Sequence, residues 1–74
     1  MSALTDPMIV HMLNQLKQLG ESSGVDEKDL KKLRDLILEA SKLLNQDKER
    51  EMIQAYNAFC QMVKNIIERN EMII

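Results

Sequence analysis

Apolar side chains recur along this chain at steps of three and four residues, the spacing that gathers them on one face of an α-helix. The first run is Ile9, Met12, Leu13, Leu16 and Leu19. Asp6 followed by Pro7 gives it a start, because the carboxylate accepts hydrogen bonds from free first-turn amides and proline has no amide to leave unpaired. Gly20 suits the left-handed residue that closes a helix, so the pattern predicts helix one over about residues 7–19. Between Met8 and Leu19 the only formal charge is Lys17; the other polar positions are His11, Asn14, Gln15 and Gln18. A solvated helix face usually carries more charge, so part of this one is expected to be covered.

Gly20-Glu21-Ser22-Ser23-Gly24 has the small, polar composition of a flexible connector, and residues 20–25 read as a loop. Asp26 then caps helix two, predicted over 27–44. Asp29 stands at the capping-box position, Val25 and Leu30 have the spacing of a hydrophobic staple, and Glu27 and Lys31 form a favourable (i, i+4) pair. Leu30, Leu33, Ile37, Ala40 and Leu44 make its apolar stripe, widened by Leu36 and Leu43. Continuing that register would put Asp47 and Glu51 in the core, so it fails there. A new stripe in shifted phase, Met52, Tyr56, Phe59, Val63 and Ile66, is flanked by Ile53, Cys60 and Ile67. The simplest explanation is a turn at 45–47, with Asp47 capping helix three over 48–70 and Glu49 and Glu51 at its positive end. No glycine or proline forces that turn, and one bent, continuous helix is the alternative. Fraying near Asn70 would leave Met72-Ile73-Ile74 as an apolar tail.

The expected fold is therefore all-α and a single domain over 1–74. A short N-terminal helix and flexible loop precede an antiparallel two-helix hairpin, giving a three-helix, bundle-like unit that stands alone or in an oligomer.

Composition narrows what holds such a unit together. A chain of 74 residues buries only about 60% of the surface its unfolded form exposes, and chains this small usually need a staple. One cysteine and one histidine can form neither an internal disulfide nor a four-ligand zinc site. Tight helix packing, self-association or a partner protein is left. The lone thiol fits a reducing compartment. The apolar runs reach only three residues, as in Leu36-Ile37-Leu38, against about 20 for a membrane span. Met1-Ser2-Ala3-Leu4-Thr5-Asp6 lacks the basic and apolar regions of a signal peptide, so a cytoplasmic location is expected.

Ten basic and 12 acidic side chains, net charge -2, argue against a phosphate-backbone binder. The densest basic group, Lys28, Lys31, Lys32 and Arg34, is interleaved with Asp26, Glu27, Asp29 and Asp35 and reads as a solvated helix face rather than a nucleic-acid site. Cys60 and His11 are the available nucleophile and base, but no spacing arranges for them to meet, and Cys60 sits on the apolar stripe where a thiol behaves as a small hydrophobe. Gly24 to Asp29 resembles the exit of a calcium loop only superficially, since Gln18, Gly20 and Ser22 would occupy the first ligand positions. No catalytic, metal, cofactor or small-molecule site is assigned, and the chain reads as a non-enzyme. Six methionines outnumber one phenylalanine and one tyrosine. Met12 and Met52 are expected to fill the core, and Met8 and Met72 to meet a partner.

The layout is similar to one family: the small helical co-chaperone subunits that, with a tetratricopeptide-like partner, hold the needle subunit of bacterial type III secretion in the cytoplasm. The similarity rests on length, mild acidity, the Met1-Ser2-Ala3-Leu4-Thr5 opening, a short first helix, and two longer helices joined by Asn45-Gln46-Asp47-Lys48. Such membership implies that the helix-two/helix-three hairpin docks its apolar face on the partner chaperone. The residues themselves support a protein-binding or self-associating module, with a small phage or bacterial inhibitor of an enzyme or transcription factor as the other reading. On either, Leu33, Ile37, Tyr56, Phe59, Val63 and Ile66 are the expected partner-contacting residues, because the third-helix stripe is wider than one neighbouring helix covers.

Overall fold

A computed structural model describes residues 6–22 and 24–71. These residues form three helices and no strand: α1 (Pro7–Glu21), α2 (Glu27–Asn45) and α3 (Glu49–Glu71). The Met72-Ile73-Ile74 tail and the Met1 to Thr5 opening lie outside the described residues.

Each helix end has a local cause. The Asp6 carboxylate accepts from the amides of Met8 at 2.9 Å and Ile9 at 3.4 Å, opening α1. At the other end α1 runs through Gly20 to Glu21, two residues beyond the length expected from the sequence. There the Ser22 amide donates to the Leu19 carbonyl at 3.1 Å and its hydroxyl to the Gln18 carbonyl at 3.0 Å. Those two bonds satisfy terminal carbonyls without a left-handed glycine. The left-handed residue is Gly24 instead, at φ 94°, within the connector that leads to α2.

Asp26 caps α2 by accepting from the Lys28 amide at 2.9 Å. Asp29 does not complete a capping box: its carboxylate takes the Arg69 guanidinium at 3.0 Å, linking the first turn of α2 to the end of α3. Glu27 likewise takes Arg34 at 2.8 Å rather than Lys31 as the ion-pair partner. Both expectations drew on helix-local spacing, whereas a long arginine reaches past the nearest turn.

The junction of α2 and α3 differs most from the expected turn chemistry. Asp47 does not cap α3; it has φ 58°, the left-handed conformation. The Lys48 amide donates back to the Leu43 carbonyl at 2.9 Å and the Asp47 amide to the Leu44 carbonyl at 3.1 Å. Those two bonds are the Schellman pattern that closes a helix, here with aspartate where glycine is commonest. Met52 N–H then donates to the Lys48 carbonyl at 3.0 Å as α3 begins. Asp47 therefore terminates α2, and this helix end is made without glycine or proline because an aspartate tolerates the left-handed region better than most residues.

The core takes Ile9, Met12 and Leu19 from α1, Leu33, Ile37 and Ala40 from α2, and Met52, Phe59, Val63 and Ile66 from α3. Met12 and Met52 fill it, and Met8 packs against its edge rather than standing free. The α2–α3 interface is the most extensive, and α1 packs against both of these helices. Val25 and Leu30 are half-buried against the same core, so the connector is held at its α2 end. Most of the polar face of α1 is exposed, at His11, Asn14, Lys17 and Gln18, while Gln15 is half-buried.

Phe59 is fully enclosed and is the chain's only phenylalanine. Phe59→Ala should cost about 3–5 kcal/mol, a large share of the roughly 4–11 kcal/mol available to a chain this size; urea denaturation followed by circular dichroism measures it. Asp47→Gly should raise stability by about 0.5–1 kcal/mol by relieving the left-handed φ. A neutral result or a loss in the same experiment would return Asp47 to a capping role.

Candidate protein-binding surface

Helix α1 leaves an open groove on each side. Toward α3 the groove is about 390 Å³, with His11 and Gln15 on one wall and Cys60, Lys64, Ile67 and Glu68 on the other, over a floor that includes Phe59 and Val63. Toward α2 it is about 220 Å³ and wholly apolar, lined by Leu13, Leu16, Ile37, Leu38 and the stem of Arg34. The Arg34 guanidinium is held by Glu27, so the side chain contributes its hydrocarbon to the groove while its charge is matched elsewhere.

Of the six residues expected to meet a partner, Leu33, Ile37, Phe59, Val63 and Ile66 lie in the chain's own core. Tyr56 alone sits at its half-buried margin. Periodicity identified an apolar face, and the fold spends the centre of that face internally. Among the described residues, the exposed large apolar side chains are its flanks and those of its neighbours: Val10, Leu13, Leu38, Ile53 and Ile67. Of these Leu38 is the most open, at 68%. A signal for it was present in the sequence, since Leu38 lies one residue off the 33–37–40 stripe with Arg34 and Lys42 four residues to either side. A leucine on such a polar flank has no neighbouring helix to bury it.

Two residues of the α3-side groove, His11 and Cys60, meet Tyr56 beside it, contacts that spacing did not connect. The rings of His11 and Tyr56 stand 5.9 Å apart and tilted by 47°, an aromatic contact that fixes α1 against α3. Tyr56 also neighbours the Cys60 thiol. Burial first, and then that thiol, raise the phenol above its ordinary value of 10.0. The phenol therefore stays protonated at neutral pH and offers Cys60 no base. Chemically, the groove presents an apolar floor, the Cys60 thiol and a charged lip formed by Lys64 and Glu68, features suited to holding another side chain or helix.

Comparison with known protein families, curated proteins and solved structures returned no match. No helix among the described residues is long and apolar enough to cross a membrane.

The raised phenol sets an alkaline dependence. The unfolded chain releases this proton near the ordinary value, while the folded chain keeps it, so Tyr56 lowers stability as pH rises above about 10 and through the folded-state value. Because the chain has one tyrosine, an ultraviolet phenolate titration reads Tyr56 alone and should give a midpoint above that of the urea-unfolded chain. Tyr56→Phe should remove the corresponding part of the alkaline loss of melting temperature. Coincident midpoints would contradict the environment described.

Proposed function

We propose that the chain is a non-enzymatic, cytoplasmic helical binding module. On this reading α2 and α3 form an antiparallel hairpin, and α1 completes a docking surface along its side. The observation that carries it is the apolar groove between α1 and α2, where Leu38 and Leu13 stand open beside a core that has already closed without them. Val10, three residues before Leu13 on the same side of α1, extends that patch. The Schellman reversal at Asp47 and the Asp29–Arg69 link support the hairpin. Within this class we propose a co-chaperone of the type III secretion needle subunit, acting with a tetratricopeptide-like partner. The short first helix followed by two longer ones supports that assignment.

Leu38→Asp tests the reading. The side chain is mostly in water already, so stability should change by no more than about 0.5 kcal/mol. Partner affinity should fall at least about tenfold, because an unpaired charge would be placed in an apolar contact. Tagged wild-type and variant chains expressed in the source cell, purified and analysed by mass spectrometry, make the comparison. A needle subunit with a tetratricopeptide-like protein, captured by wild type and lost by Leu38→Asp, is the expected result. A polymerase or repressor subunit lost in the same way would replace the co-chaperone reading with an inhibitor. Equal capture by both forms would remove the groove from the interface.

A further inference from the structure

The second exposed apolar surface lies on the opposite flank of α1, along α3. Ile53 is 38% and Ile67 42% exposed, and Cys60 between them is half-buried. Ile53 stands seven residues before Cys60 and Ile67 seven residues after it. Residues seven apart drift by only about 20° around a helix, so the three share one side. The arrangement reads the same in both directions, which is what a two-fold interface demands of a surface that must complement itself.

Charge selects the direction. Arg50, Lys64 and Glu68 are exposed, and none of the three takes part in the ion pairs formed among the described residues, which are Arg34–Glu27 and Arg69–Asp29. A parallel copy would set each of them beside its like. In an antiparallel copy with Cys60 on the axis, Ile53 meets Ile67 of the other chain. Arg50 then falls two residues, about 3 Å along the axis, from the other Glu68, within reach of a guanidinium. The apolar segment from Ile53 to Ile67 is about 21 Å long.

We propose that this flank is covered by a second copy of the chain, in an antiparallel α3–α3 dimer centred on Cys60. The dimer leaves the α1–α2 groove open, so it does not depend on the partner surface at Leu38. Analytical ultracentrifugation under reducing conditions at micromolar concentration tests it. The wild-type chain should sediment as a dimer. Ile53→Asp and Ile67→Asp should each raise the dimer dissociation constant at least about tenfold with the helical circular dichroism unchanged, and Leu38→Asp should leave it where it was. Arg50→Glu should weaken the dimer, and adding Glu68→Arg should restore it. That exchange involves two exposed side chains, so it remains decisive if an aspartate variant fails to fold. A short bis-maleimide should join two wild-type chains through Cys60, the only cysteine. A wild-type monomer, a dimer indifferent to Ile53→Asp and Ile67→Asp, a dimer lost on Leu38→Asp, a charge exchange without rescue, or a dimer that Cys60 does not cross-link would each overturn the proposal. Apart from a dimer lost on Leu38→Asp, none of those results bears on capture of a different protein through Leu38.

Discussion

Everything in this fold depends on closing one apolar core around Phe59 from three helices that no internal disulfide cross-links. The ring is fully enclosed, with buried side chains from all three helices in the same cluster. In a chain this small the conformational entropy lost on folding nearly balances the apolar burial gained, so the centre of each amphipathic face must go inward. The first consequence is that the residues with the strongest periodic signal are committed to the interior. The second is that the residues beside them, too far around each helix to turn inward, remain in water.

That division explains how much of the molecule was legible in its sequence. The all-helical class follows from the three- and four-residue steps, and Asp6 and Asp26 announce helix starts because their side chains act on amides two or three residues away. Local rules failed where a residue answers to something distant. Asp29 is spaced for its own helix end yet binds Arg69 from another helix. Gly20 stays helical because Ser22 supplies the terminal bonds instead. Asp47 carries the positive φ that a sequence reader assigns to glycine.

The candidate surface was less legible for a related reason. Periodicity reports which side of a helix is apolar, and both a core and an interface require such a side. Leu33 and Phe59 could be separated from Leu38 and Ile67 only once the positions of the other helices were known. The meeting of His11 with Tyr56, and of Tyr56 with Cys60, likewise depends on how α1 lies against α3. That histidine and the tyrosine stand forty-five positions apart in sequence, and no spacing rule spans such an interval.

The attachment of α1 has a further thermodynamic consequence. It adjoins α2 through a connector containing a left-handed glycine, while the broader interface is the one between α2 and α3. In a hierarchy of local openings, α1 is therefore the unit that detaches at the lowest free energy, and its amides should exchange with solvent before those of the longer helices. A ligand that grips the two long helices must bear the cost of that detachment, whereas one that also holds α1 recovers it. Affinity at the surface would then be set partly by the resting equilibrium of fifteen residues that end at Glu21.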